Sequence, residues 1–306
     1  MNEVLGALAP VFLLILLGWA VRAARLLPAD ALGAVNRFGY FVLYPAFLFT
    51  TIASASLASA DALPFLGGVM LAFLCVVALM LGLRPFFRDG PGYTSVFQGA
   101  ARWNGFAILA AGNEIFGPLG RPYIALAFGP AVLMLNIISV GVLARWGENR
   151  QTSWRFLLAQ VAGNPLVLAC VAGLAALALG APDLGPVSDA LQLLGQAAMP
   201  VALICVGAGI DLRAARSAHA KVALSTAVKL VAAPLIFYAV VRGVGAGPVA
   251  AAIAAGIGST PTAAASYTLA REMGGDARLM AAIVSVTTLM SFVTMPIAIT
   301  LALAAP

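Results

Sequence analysis

The chain has 306 residues, of which 62% are hydrophobic and only 9% are charged. A soluble domain of this length carries about a quarter charged residues, so the composition predicts an integral membrane protein. The formal net charge of +6 would suit nucleic acid, but the basic residues flank apolar runs, which favours the lipid bilayer as partner and argues against nucleic acid.

Apolar runs long enough to cross a bilayer follow one another along the chain, and they predict an all-α polytopic membrane protein with ten transmembrane helices. We number these runs as spans 1 to 10. Their approximate limits are 4–21, 33–57, 63–82, 92–116, 123–144, 156–180, 187–210, 222–244, 247–271 and 279–304.

The basic residues predict the orientation of these spans. With the N-terminus outside, 13 of the 17 lysines and arginines fall in inner loops or at inner helix ends, and only Arg121 and Arg242 lie outside. Inner loops of membrane proteins carry this excess of basic residues. We therefore expect a multi-pass protein of the bacterial inner membrane with both termini in the periplasm.

Spans 4 and 9 look like copies of each other. The stretch "GAARWNGFAILAAGNEIFG" from Gly99 aligns with "GIGSTPTAAASYTLAREMG" from Gly256 at an offset of 157, and Pro45 in span 2 aligns with Pro200 in span 7 at an offset of 155. Five spans in each half, an odd number, would make the repeat inverted, a plan typical of secondary transporters. The predicted halves are 1–150 and 151–306.

Span 9 contains residues that interrupt a helix. Pro261 has no N–H, and its ring clashes with the carbonyl four residues earlier. Gly256 and Gly258 make unwinding less costly, while Ser259 and Thr260 are good N-caps. The sequence therefore predicts a second half-helix that starts at Pro261 and leaves its N–H groups free inside the membrane.

Span 4 has a matching interruption, where Asn104 can cap a half-helix that starts at Gly105. Arg102 lies two residues earlier, and an arginine at this depth is usually functional. Its guanidinium could hold a substrate carboxylate, or it could cap backbone carbonyls or pair with Glu114. Two half-helix ends and an arginine together predict an anion site. The predicted substrate-binding residues are Arg102, Asn104, Gly105, Ser259, Thr260, Pro261 and Thr262.

Several motifs resemble those of the auxin efflux carrier family, and the resemblance runs over nearly the whole chain. The motifs are "GYFVLYPAFLFTTIA", "RWNGFAILAAGNEIFGPLG", "GNPLVLACVAGL", "AAMPVALICVGAGIDL" and "STPTAAASYTLAREMGGD". This resemblance implies a fold similar to that of bile-acid sodium symporters, in which spans 4 and 9 unwind and cross. The crossing asparagine and proline of the family would be Asn104 and Pro261.

The resemblance also implies a mechanism. Spans 1, 2, 6 and 7 would form a scaffold that often dimerises, and spans 3–5 and 8–10 a transport domain that shifts against it like an elevator. Substrates would be small organic anions such as malonate or other carboxylates. Trp103 stands where plant members have proline, and Thr262 where they have an amide, so the resemblance does not extend to auxin.

The coupling ion is open at this stage. Asn113 and Glu114 lie about ten residues past Asn104 and form a possible sodium site, while coupling to protons and uniport are equally open. No metal or other cofactor is expected. A sodium-coupled symporter of a larger organic anion is the main alternative. A channel could use the same breaks, whereas an enzyme is disfavoured because 11 acids and one histidine form no obvious cluster.

Four more residues receive supporting roles. Pro45 and Pro200 are expected to kink spans 2 and 7, either to let the transport domain slide or as fixed packing features. Asn136 in span 5 is expected to hydrogen-bond to a neighbouring helix or to touch substrate. Lys229, about two turns into span 8, is expected to extend its ammonium to the inner surface.

Overall fold

The computed structural model describes residues 1–26, 28–54, 61–148, 162–180, 185–211 and 219–305, and these residues are almost entirely helical. The helices are α1 (Asn2–Ala23), α2 (Ala29–Phe38), α3 (Tyr44–Ala53), α4 (Ala62–Gly82), α5 (Gly90–Ala101), α6 (Gly105–Leu109), α7 (Gly112–Phe116), α8 (Gly120–Trp146), α9 (Pro165–Ala178), α10 (Pro186–Ala208), α11 (His219–Ala227), α12 (Ala233–Gly243), α13 (Pro248–Ser259), α14 (Ala265–Glu272) and α15 (Ala277–Ala304).

Within the described ranges, seven helices or continuous helix pairs are long and apolar enough to cross a membrane. They fall in predicted spans 1, 2, 3, 5, 7, 8 and 10. Spans 4, 6 and 9 contain shorter helices, because spans 4 and 9 are interrupted and the described part of span 6 begins at residue 162. The chain is thus a polytopic helical membrane protein, while the full set of ten spans and the inverted repeat stay predictions.

Two π-helical turns widen the long helices, and each one directly precedes a residue followed by proline. The turn Gly39–Leu43 joins α2 to α3 ahead of Pro45, and the turn Val228–Ala232 joins α11 to α12 ahead of Pro234. A proline ring collides with the carbonyl four residues back, and a wider turn moves that carbonyl aside. Pro200, by contrast, lies within α10, which is α-helical throughout.

The first bundle consists of α1, α2, α3, α9 and α10. Here α1 packs along α10, and α3 packs along both α9 and α10. The first pair touches backbone to backbone: a Cβ at Gly207 would lie 1.8 Å from the Ile15 carbonyl oxygen, and one at Gly18 would lie 2.0 Å from that of Ile204. Small residues permit such close approach between membrane helices.

The second bundle contains α4 to α8 and α11 to α15, with α13 packed between α12 and α15. Asp89 caps α5 by accepting from the Gly92 N–H, and Asp276 caps α15 by accepting from the Leu279 N–H. The Ser95 hydroxyl donates to the Asp276 carbonyl at 2.9 Å and ties these two helix starts together. Both bundles draw helices from both predicted halves, so 1–150 and 151–306 describe chain order rather than packing. The roles of scaffold and transport domain stay predictions.

Candidate functional site

The interruptions of spans 4 and 9 meet inside the second bundle. The backbone leaves α5 at Ala101 and enters α6 at Gly105, and it leaves α13 at Ser259 and enters α14 at Ala265. The Asn104 N–H donates to the Pro261 carbonyl at 2.9 Å, which joins the two segments directly. We call residues 102–104 and 260–264 together the crossover.

The second segment satisfies its own backbone. Because Pro261 has no N–H for the Ile257 carbonyl, the Thr260 hydroxyl donates to that oxygen instead, at 2.8 Å. The Ser259 hydroxyl donates to the Gly256 carbonyl at 2.9 Å in the same way. These two residues therefore close the end of α13, and the predicted N-cap role for them is wrong.

The following half-helix also begins later than predicted. It starts at Ala265 rather than at Pro261, and Ala264 occupies the N-cap position without a side-chain hydrogen bond. The residues between them are extended or in a turn, since Thr260 has φ −62° and ψ 151°. The chain thus needs several residues, not one, to pass the first segment before it can turn into α14.

Gly256 and Gly258 are helical, so they serve packing rather than unwinding. A Cβ at Gly258 would lie 2.9 Å from the Pro234 Cα and 3.0 Å from the Ala233 carbonyl carbon. At Gly256 it would lie 3.0 Å from the Phe116 ring. The two glycines let α13 approach α12 and α7 closely, which holds the end of α13 in place.

Two further predicted site residues connect the crossover to its neighbours. The Thr262 hydroxyl donates to the Gly99 carbonyl at 2.6 Å, and the Thr262 N–H donates to the Thr287 hydroxyl at 3.3 Å. At Gly105 a Cβ would lie 2.3 Å from the Phe128 ring, so any other residue there would displace that ring. Both positions fix the crossover within the second bundle.

The first segment instead carries buried donors without hydrogen-bond partners among the described residues. They are Nη1 of Arg102, Nε1 of Trp103 and Nδ2 of Asn104. The Trp103 ring packs against Phe73 and Phe128, with ring centroids 5.8 Å and 5.3 Å away. Buried donors without partners are rare in folded proteins, and a group of N–H donors that includes a guanidinium suits an anion.

Two residues of the first bundle face this segment. Arg102 lies close enough to Tyr40 for the guanidinium and the phenol to interact electrostatically, and the Asn164 side chain lies near the Tyr40 hydroxyl. Asn164 also caps α9, accepting from the Leu166 N–H at 2.9 Å. The sequence analysis did not assign Tyr40 or Asn164 to the site. The Asn–Pro pair at the start of α9 was an available signal for the cap, but nothing local linked it to Arg102.

The predicted ion-site residues lie at exposed positions of α7. Asn113 uses its side-chain oxygen to accept from the Arg121 N–H at 2.8 Å, and Glu114 is also exposed. Among the described residues, Glu114 makes no ion pair with Arg102. The ion pair found there joins Lys221 to Asp89. Among the described residues, no group of three or more His, Cys, Asp or Glu could hold a metal ion.

The supporting residues are distributed over both bundles. Pro45 and Pro200 are half-buried in the first bundle, and Asn136 is buried in α8 with 9% of its surface exposed. An open cavity of about 410 Å³ lies apart from the crossover residues, at the starts of α5 and α15. It is lined by Asp89, Pro91, Gly92, Glu148, Gly275, Asp276 and Ala277.

Aromatic rings fill the contact between the two bundles beside the crossover. Phe106 of α6 lies 5.2 Å from Tyr44 and 5.3 Å from Phe47, and Phe128 of α8 lies 5.7 Å from Phe47, measured between ring centroids. We call these four residues the ring interface. It is apolar, in contrast to the donors of the first segment only two residues away from Phe106.

A helical membrane protein with two interrupted helices in contact and unpartnered donors at the contact has the features of a secondary transporter. Comparison with known proteins agrees. The family described as "Membrane transport protein" matches residues 150–299. A protein of Rhizobium meliloti (strain 1021) named "Putative malonate transporter" is 27% identical over 259 residues, which is 80% of this chain and 79% of that protein.

The family match and the relative both support the resemblance to the auxin efflux carrier family that the motifs predicted. The matches indicate a transporter rather than an enzyme. The family match covers the second half of the chain, which contains α13 and Pro261, while the relative extends the similarity over most of the sequence.

Proposed function

We propose that the chain carries a small organic anion with a carboxylate group across the bacterial inner membrane. The observation that carries this proposal is the set of unpartnered donors at the crossover, above all Nη1 of Arg102 and Nδ2 of Asn104. The name of the relative, "Putative malonate transporter", supports a short carboxylate as the first substrate to test.

The carboxylate would accept from Arg102 and Asn104 in place of water. A hydrogen bond to a charged group contributes about 1.5–3 kcal/mol when both partners are removed from solvent. The planar guanidinium suits both oxygens of one carboxylate. Tyr40 and Asn164, which approach from the first bundle, would contact the substrate from the opposite side. The substrate would then lie between the two bundles.

Transport would follow an elevator-type mechanism. The second bundle would move the crossover and its substrate against a fixed first bundle, in a protein of ten spans arranged as an inverted repeat with both termini in the periplasm. The internal ties of the second bundle support its movement as a unit, because Thr262 joins the second segment of the crossover to α5 and Ser95 joins α5 to the loop before α15. The first bundle would also form the interface of a homodimer.

Uptake into liposomes tests this function. Purified protein should take up radiolabelled malonate with saturation, and unlabelled malonate inside the liposomes should accelerate uptake of the label. Short mono- and dicarboxylates should compete, whereas their amides should not. A flux without this counterflow acceleration would indicate a channel, and no uptake of any carboxylate in the panel would contradict the proposed function.

A further inference from the structure

Lys229 lies in the π-helical turn between α11 and α12, and only 1% of its surface is exposed. The expectation that it reaches the inner surface is therefore wrong. A lysine can extend its ammonium to water only where its stem lies along an open surface, and this position is enclosed by protein. A charged side chain buried inside a membrane protein is expensive, and such residues are usually functional.

The neighbours of Lys229 along the helix show what it faces. Residues four apart share one helix face, so Ser225, Lys229 and Ala233 form one stripe. The Ser225 hydroxyl donates to the Val96 carbonyl at 3.3 Å. The Ser225 hydroxyl oxygen also lies 2.3 Å from the place where a Cβ at Gly99 would be. At the other end of the stripe, the Ala233 carbonyl carbon lies 3.0 Å from the corresponding place at Gly258.

Lys229 is thus flanked by contacts to the last turn of α5 and to the last turn of α13. These are the two helix ends that lead into the crossover. The C-terminal end of a helix carries a partial negative charge from its free carbonyls, and a cation nearby is stabilised.

The described parts of the helices around Lys229 carry no carboxylate that could balance its positive charge. The π-helical turn packs against α5, α11, α12, α13 and α15. The ionisable groups on the described parts of these helices are Tyr93, His219, Lys221, Tyr238, Arg242 and Arg278. On these helices, the groups left to compensate the ammonium are backbone carbonyls and hydroxyls.

We propose that Lys229 is a built-in cation of the transport site, which takes the place of a bound coupling cation and makes anion binding independent of Na⁺. This inference rests on the proposed function. Without Lys229, the negative ends of α5 and α13 would repel an anion at the crossover. With it, the region behind the anion is positive, and the low dielectric of a buried site transmits this charge over several ångströms. Lys229 acts as a positioning charge and does not touch the substrate.

The effect of a charge at a distance should scale with the charge of the ligand. Malonate carries two negative charges at neutral pH, and malonamate carries one in nearly the same volume. Lys229→Met removes the positive charge and keeps an unbranched side chain. We expect it to weaken malonate binding at least tenfold. Because malonamate has half the charge, it should lose half the free energy, which is the square root of the factor for malonate. Lys229→Arg should retain most of the affinity for both.

The experiment measures binding of malonate and malonamate to the full-length protein in detergent, in sodium chloride and in choline chloride. Wild-type affinity should be the same in the two salts. Lys221→Met is the matched control, because it removes a lysine from the same long helix at a partly exposed position, and it should bind both ligands like the wild type.

Each outcome decides between the two proposals. A wild type that binds no carboxylate overturns the proposed function and this inference with it. Malonate binding by the wild type that needs Na⁺ overturns the inference alone, and this measurement requires no variant to fold. Equal losses for malonate and malonamate in Lys229→Met, without rescue by arginine, would assign Lys229 a purely structural role.

Discussion

The two segments of the crossover differ in what their side chains do. In residues 260–264, the hydroxyls of Thr260 and Thr262 donate to backbone carbonyls of α13 and α5. In residues 102–104, Arg102 and Asn104 keep buried donor atoms without partners in the described structure. The segments are joined by the hydrogen bond between the Asn104 N–H and the Pro261 carbonyl.

This difference suggests that residues 260–264 stabilise the fold and that residues 102–104 bind the ligand. A segment that satisfies its own polar groups has few left for a ligand, whereas one with unpartnered donors gains from binding an acceptor. We therefore expect substitutions in the first segment to affect ligand binding more than stability. Substitutions in the second segment should do the reverse, except where they displace the Pro261 carbonyl.

The largest effect is expected at Arg102. Arg102→Gln removes a charge-assisted contact of about 1.5–3 kcal/mol, so malonate affinity should fall about tenfold or more. Arg102→Lys keeps the charge but loses the planar guanidinium, so its malonate affinity should lie between those of the wild type and Arg102→Gln. Binding of malonate and of its diamide to wild type and Arg102→Gln completes a double-mutant cycle, and zero coupling would contradict recognition by Arg102.

The next largest effect is expected at Pro261. Pro261→Ala allows α13 to continue past Ser259, which moves the 261 carbonyl away from the Asn104 N–H. The variant should still insert and fold, but loss of this bond, worth about 1 kcal/mol, should reduce uptake into liposomes about fivefold or more. Pro248 is the matched control because it occupies the first turn of α13, where alanine fits equally well. Wild-type uptake by Pro261→Ala would contradict the role of the break.

Smaller effects of opposite kind are expected at Asn104, where affinity should fall, and at Thr262, where stability should fall. Asn104→Ala removes an amide nitrogen with no partner in the described fold, so malonate affinity should fall by about 1 kcal/mol while the melting temperature stays unchanged. Thr262→Val removes the bond to the Gly99 carbonyl, so it should lower the melting temperature and change affinity less. Thermal unfolding and ligand titration on both variants check this, and the opposite pattern would reverse the assignment of the two segments.

The smallest effect is expected at Ser259. Its hydroxyl bonds only to the Gly256 carbonyl within the same helix, so Ser259→Ala should change stability by less than about 1 kcal/mol and leave uptake near the wild-type rate. A strong loss of malonate binding in this variant would show that the end of α13 also recognises the substrate.

The sequence predicted the interruptions because their causes are local. Pro261 lacks an N–H wherever the chain goes, and Asn104–Gly105 is a weak point in any helix. The start of α14 depended on something less local, since Thr260 supplies the donor that Pro261 lacks and so ends α13 instead of starting a new helix. Periodicity cannot show which of two neighbouring helices a hydroxyl will serve.

Other parts of the site depend on contacts between distant segments. Tyr40 reaches Arg102 only because the first bundle packs against the second, and no spacing in the sequence records that contact. Lys229 was misplaced for a related reason, since its distance from the end of span 8 suggested access to water. Its burial follows from the packing of α5, α13 and α15 around the π-helical turn.

The ring interface has a kinetic consequence for the proposed movement. Contacts among Tyr44, Phe47, Phe106 and Phe128 are mainly dispersion contacts, which have no single partner atom. A ring that slid along this surface would meet a new neighbour as it left the old one, so the proposed movement would break no directional bond here. The same rings would exclude water beside the proposed substrate position. A smaller side chain at Phe106 should therefore speed the shift and also let small ions leak past it, so that turnover and tightness of the seal depend on one residue.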